Sequence, residues 1–288
     1  MSGARVRGPS GHGASEGEIT VRRMDLEFPE SMPTFWFDGN PFLTAMLASL
    51  SAAFPPGERF FIHSVRHYLP GIEDPELQQR ARAFIGQEAN HTKEHIAFNR
   101  FLDASGFPAK SMEEYATRGI QALQERSKPE WNLARTAALE HFTAIMAGAM
   151  LEHPELLERM SPHAATLWAW HAIEEIEHRS VAFDVYQRAV GDDGLRRRVM
   201  AITTLLFVGI TSVRTLLMMR ATGTLFDVRA TARGLNLLWG RPGVFRKLLP
   251  HYFAYYRRDF HPSQHDHRAQ VDAAKRRYLG EAPAGAVA

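Results

Sequence analysis

Two Glu-x-x-His pairs, each on the apolar face of a long helical stretch, constrain this chain more than any other feature. In "FIGQEANHTKEH", Glu88 and His91 leave one helix face about a turn apart, beside Ala81, Phe84, His95 and Phe98. In "WHAIEEIEHRSVAFDVY", Glu175 and His178 repeat the spacing, with Ala182 on the same face and His171 one turn back. An unpaired carboxylate on an apolar stripe is costly to bury. Such faces must therefore meet each other around something that neutralises them. Glu177 points away from that face and is expected to be solvated, as is Glu94, while His95 reads as a hydrogen-bond partner of a ligand.

Helix signals run along most of the chain. Asn40 and Pro41 open a helix that stops at Pro55-Pro56, and a second covers Gly57 to Leu69. Asp74 caps a run from Pro75 to about Ala104, closed by Ser105-Gly106. Further helices are expected near 110–127, 130–152, 162–190, 195–220, 228–239 and 243–260. No alternating strand pattern of useful length appears, so the fold class is all-α. Two of these helices each offer a lone acid: Glu58 beside Phe61, Ile62 and Val65, and Glu140 beside Ala137, Ala144, Ala147 and Leu151. Neither has Lys or Arg at helical spacing, although Arg59 and Arg135 lie near in sequence. One Glu, one Glu-x-x-His, one Glu and one Glu-x-x-His on successive long helices is the donor set of a di-iron or di-manganese bundle. Two divalent cations balance about four carboxylates, and imidazoles complete the shells. The competing reading, surface salt-bridge helices, requires polar neighbours where Ala, Phe and Ile stand.

Composition narrows the chemistry. The 288 residues contain no cysteine, which leaves His, Asp and Glu as metal donors and removes any thiolate nucleophile. The formal net charge of +2 is too small to suggest nucleic acid as a partner. "MSGARVRGPSGHGASEG" lacks an apolar core segment and reads as a disordered lead rather than a secretory signal, making a cytoplasmic location the default. The expected organisation is a disordered lead at 1–30, a helical domain with the metal centre at 31–260, and a tail at 261–288. That tail holds His261, His265 and His267, which resemble a loose metal tract but are expected to be exposed.

His171 stands four residues before Glu175 and can reach the same interior, or can simply pack beside Trp168 and Trp170. "PGIEDPELQQRARAFIGQEANHTKEH" and "WHAIEEIEHRSVAFDVY" together resemble a bacterial family described as predicted metal-dependent hydrolases, over most of residues 30 to 260. The donor spacing, with a third His before the last Glu, is also similar to that of di-iron arylamine N-oxygenases, whose fold is ferritin-like. The resemblance implies a ferritin-like four-helix bundle with additional C-terminal helices. It also implies Glu58, Glu88, His91, Glu140, His171, Glu175 and His178 as ligands of two metal ions.

Two chemistries fit. Iron, manganese or a mixed pair could activate O2 toward a small apolar, aromatic or amine substrate, drawing on an electron donor the sequence does not name. Two metals could equally hydrolyse an ester or phosphate. The family description favours the second, but buried Glu on four helices is an iron and manganese habit, so an O2-activating di-iron oxidase or oxygenase is the expected enzyme and a two-metal hydrolase the alternative. A non-catalytic metal-binding bundle is a third reading. The substrate is expected among the small residues of "TAIMAGAM", where Thr143 either donates a hydrogen bond to bound oxygen or only packs. "VMAITTLLFVGITSV", 199–213, carries no charge but is short of the ~20 residues of a membrane span. It is expected to be buried over the bundle, with membrane-surface contact through the C-terminal third, peripheral to the inner membrane, or a homodimer contact as alternatives.

Overall fold

The computed structural model describes residues 19–281. Among them the fold is all-helical, and the one extended pairing is an isolated bridge between Phe37 and Met160. The helices are α1 (Pro41–Ser51), α2 (Phe54–Tyr68), α3 (Pro75–Ala104), α4 (Ala109–Arg126), α5 (Pro129–Glu152), α6 (Glu155–Glu158), α7 (Pro162–His178), α8 (Val181–Ala189), α9 (Asp193–Ala221), α10 (Val228–Leu235), α11 (Val244–Ala254) and α12 (Arg268–Ala274). Local chemistry sets these limits. The Asn40 side chain accepts from the Leu43 amide at 3.1 Å, and Asp74 caps the Glu76 amide at 2.9 Å. Proline follows both caps at the first helical position, where its missing N–H costs nothing. Gly106, at φ +90°, turns the chain out of α3.

Helix α2 packs on α3 and α5, α5 on α7, and α7 on α3. Along each helix the polar interior lies between two apolar clusters. On α3, Ala81 and Phe84 belong to one cluster and Phe98 and Phe101 to the other, with Glu88 and His91 between them. On α5, Leu133 and Ala137 lie on one side of Glu140 and Ala147 and Leu151 on the other. The acids and imidazoles are thus sealed at both ends by packed side chains, in a medium where unbalanced charge is expensive.

Four expectations change. The 162–190 helix is two helices, α7 and α8, separated at Arg179 and Ser180 just past His178. Residues 19–30 are not a disordered lead. They form an extended strap in which Met24, Leu26 and Phe28 face the core at alternate positions, while 1–18 lie outside the described residues. Residues 261–281 are likewise packed, with Val271 and Ala274 buried; the end of the expected tail, 282–288, lies outside the described residues. Its histidines are half-buried and paired: His261 with Asp184 at 2.8 Å, His265 with His251 at 3.0 Å and His267 with Glu152 at 3.3 Å. Finally, α9 is not buried over the bundle. It touches α1 and α5 with one side only, and Leu205 on the other side is 77% exposed.

Candidate metal centre

The structure brings all seven sequence-derived donors into one buried cluster. Glu58 comes from α2, Glu88 and His91 from α3, Glu140 from α5, and His171, Glu175 and His178 from α7; all are buried. Ligand atoms of Glu88, Glu175 and His178 lie within 4.8 Å of one another. The same holds for Glu58, Glu88 and His91, and for His91, His171 and Glu175. Glu140 joins the first group, its Oε2 3.3 Å from His178 Nε2. The cluster therefore has two adjoining halves that share Glu88 and Glu175.

The histidines are aimed by the groups behind them. His178 Nδ1 donates to Gln87 Oε1 at 2.9 Å, so its Nε2 lone pair faces Glu88 at 3.1 Å and Glu140 at 3.3 Å. His91 Nε2 donates to Glu174 Oε2 at 3.1 Å, leaving Nδ1 toward Glu88 and Glu175, each 3.8 Å away. For His171 the direction follows from a chain. Ser51 Oγ donates to Asn99 Oδ1 at 2.7 Å, so it accepts from His95 Nδ1 at 2.9 Å. His95 Nε2 must then accept from His171 Nδ1 at 2.8 Å, which frees His171 Nε2 beside Glu175 Oε1 at 3.0 Å. Three imidazoles thus spend their outer nitrogen on a hydrogen bond and turn the inner lone pair to the carboxylates, the tautomer a metal ligand needs.

The inner donors lack other partners. Glu58 Oε1, both oxygens of Glu88 and Glu140, Glu175 Oε2, His91 Nδ1 and His178 Nε2 are buried without a hydrogen bond. So many unsatisfied buried atoms at one point would be costly unless cations completed them, and the donor set fits such ions. Burial pushes Glu58 and Glu88 well above the ordinary carboxylate range, helped by neighbouring acids. Burial and then Glu175 push Glu140 up to about 7. Burial and then His171 hold His91 well below its ordinary value. Burial also works against charge on Glu175 and His178, but each stabilises it on the other, lowering Glu175 and raising His178. All of this is the response of crowded acids and imidazoles to one another, and cations bound there would replace the protons.

Several contributors carry no helical-spacing signal of their own. Glu174 is fully buried and holds His91, with Arg22 of the strap 3.2 Å from its other oxygen. Glu177, expected in water, is bound by Arg22 at 2.8 Å and Gln87 at 2.9 Å. Glu94, also expected in water, is buried and accepts from the Asp25 and Leu26 amides at 3.1 and 2.9 Å. The strap covers both acids and removes them from solvent. The signal that could have found it is the Met24, Leu26, Phe28 alternation of a half-buried extended segment.

A cavity of about 50 Å³ reaches His171 and Glu175, lined by Leu47, Leu50, Phe54, Met146, Met150 and Trp168. Thr143 is on its wall, its Oγ1 donating to the Glu140 carbonyl at 3.1 Å. No Lys or Arg lines it. A second apolar cavity of about 60 Å³ shares Leu47, Leu50, Met146 and Met150 and runs on to Leu237, Phe245 and Leu248.

Fold and site together define a class: an all-helical protein with a buried cluster of carboxylates and imidazoles suited to metal ions. The model of a family described as a predicted metal-dependent hydrolase matches residues 20–266, and the chain belongs to that family. No curated protein and no solved structure matches it.

Proposed function

We propose that this protein is a two-metal hydrolase acting on a small, uncharged, apolar ester. The order Glu, Glu-x-x-His, Glu, Glu-x-x-His over α2, α3, α5 and α7 supports a ferritin-like bundle around the ions. Glu140, Glu175 and His178 would hold one ion, Glu58, His91 and His171 the other, with Glu88 reaching both. The observation that carries this reading is the set of three histidines whose outer nitrogens are all occupied while their inner nitrogens face the carboxylates of Glu88, Glu140 and Glu175, most of whose oxygens are orphaned.

The ions would supply an activated water and polarise the substrate carbonyl. The chain's own residues do the rest. Gln87, Glu174 and His95 fix the three imidazoles. The apolar clusters above and below exclude bulk water. The cavity walls select an apolar substrate, and the absence of Lys and Arg disfavours a phosphate. Thr143 can turn its hydroxyl from the Glu140 carbonyl toward a substrate oxygen. The family description favours hydrolysis over the O2 chemistry that the donor set alone suggests.

Activation of O2 at iron, or at mixed iron and manganese, is the second reading. One observation favours it: every donor is carried by a helix and none by a loop, and Glu88, His91 and His178 are fully sealed from solvent. The two are separated by loading the metal-free protein with Zn, Mn or Fe(II) and assaying short-chain aryl esters without oxygen, then O2 uptake after reduction. Anaerobic ester hydrolysis that follows Zn or Mn is the expected result. No hydrolysis with any metal, together with iron-dependent O2 uptake, would replace this reading by the second.

A further inference from the structure

The overall charge conceals a strong asymmetry. Residues 194–258 contain twelve Arg or Lys and a single acid, Asp227, whereas the remaining chain has 22 basic and 31 acidic residues. The basic segment is also where the exposed apolar surface lies. On α9, Ile202, Leu205, Leu206, Val213, Leu216 and Leu217 are all exposed and recur at helical three- and four-residue spacing. Continuing that spacing outward meets Arg198 at one end and Arg220 at the other, both exposed. The result is an aliphatic stripe with a cation at each end, about 33 Å apart at 1.5 Å per residue.

The opposite side of α9 is fixed to the protein. Val199, Met200, Thr203, Thr215, Met218 and Met219 are buried, and Arg196 is buried with its guanidinium on the Tyr255 and Arg257 carbonyls. Helix α9 is long and apolar enough to cross a membrane, but crossing would require stripping it from α1 and α5. Lying flat keeps those contacts. Helix α11 sits alongside, tied by Thr204 Oγ1 to Tyr252 Oη at 3.0 Å, and adds Phe253, which is 61% exposed.

We propose that this face docks reversibly on an anionic lipid surface, the α9 stripe entering the acyl boundary and the arginines meeting lipid phosphates. Charge decides between lipid and a second copy of the chain. Antiparallel apposition of two α9 helices would set Arg198 of one against Arg220 of the other, like against like, whereas anionic headgroups complement both. The second of the two cavities, which shares Leu47 and Met146 with the one at the metal centre, is also lined by Leu237, Phe245 and Leu248, inside this same basic segment.

The test is flotation of the full, metal-loaded chain with vesicles of phosphatidylcholine alone and of an equimolar phosphatidylglycerol–phosphatidylcholine mixture. Binding is expected to the mixture, weaker to the neutral vesicles, and reduced at about 1 M salt, where the Debye length is ~3 Å. Leu205→Glu with Val213→Glu should weaken partitioning about tenfold or more, with helix content and metal content unchanged. Arg198→Glu with Arg220→Glu should abolish the preference for anionic vesicles. Absence of binding to either vesicle, or binding unaltered by the Leu205 and Val213 pair, overturns the proposal. So does a dimer in solution that the same pair dissociates without any vesicle binding, which would assign the face to a second copy. None of these readouts depends on the reaction at the metal centre.

Discussion

Stripping the metals should make the stability of this protein fall as pH rises above about 6.5, a dependence the loaded protein lacks. In the metal-free fold Glu140 and Glu174 are pushed up to about 7 from 4.5, chiefly by burial. Glu58 and Glu88 are held well above 4.5 and His178 well above 6.5, by burial and neighbouring acids for the former and by Glu175 and Glu140 against burial for the latter. A group with a raised folded value stabilises the fold fully below its unfolded value and loses that contribution as pH climbs through the folded one. His91 and His95 are depressed by burial and act oppositely, but only below 6.5; above it they are neutral in both states. Above pH 6.5, each group still holding a proton that it would lose on unfolding lowers stability by about 1.36 kcal/mol per pH unit, and several together lower it more. Glu140 alone, ionised in the fold, costs about 3 kcal/mol. Urea unfolding midpoints of metal-free and loaded protein across this range give the comparison. Parallel pH profiles for the two forms, or a metal-free form that gains stability with pH, would refute the reasoning.

Other consequences are more local. Gln87→Leu leaves His178 Nδ1 without its acceptor and should weaken metal binding about 10–100-fold in a chelator competition, with helix content unchanged. Arg196→Met orphans the carbonyls of Tyr255 and Arg257 and should lower unfolding free energy by about 3 kcal/mol, read from denaturant midpoints, while metal content stays full.

The sequence was most informative where periodicity and burial cost act together. Asp74, Pro75 and Gly106 mark α3 almost to the residue, and the apolar neighbours of Glu88, Glu140 and Glu175 point those acids inward, where the structure has them. It was least informative where burial depends on a remote segment. Glu177 and Glu94 look like solvated positions on their own helices, and it is the strap at residues 19–30, with Lys275 beside Glu177, that takes them out of water. Composition explains the misplacement of α9. An uncharged run is normally interior, but α9 lies at the edge with one side on α1 and α5, and among the described residues nothing packs its other side. The half-buried state of His261, His265 and His267 was hidden for the same reason, since Asp184, His251 and Glu152 belong to other helices.

The central claim is that seven side chains from four helices hold two cations. Elemental analysis of protein loaded with Mn, Zn or Fe(II) and freed of loose metal by gel filtration tests it most directly. The account predicts about two ions per chain in the parent and none retained in Glu88→Ala or Glu175→Ala variants whose helix content is intact. Fewer than one ion per chain in the parent, or undiminished metal in both variants, would contradict it.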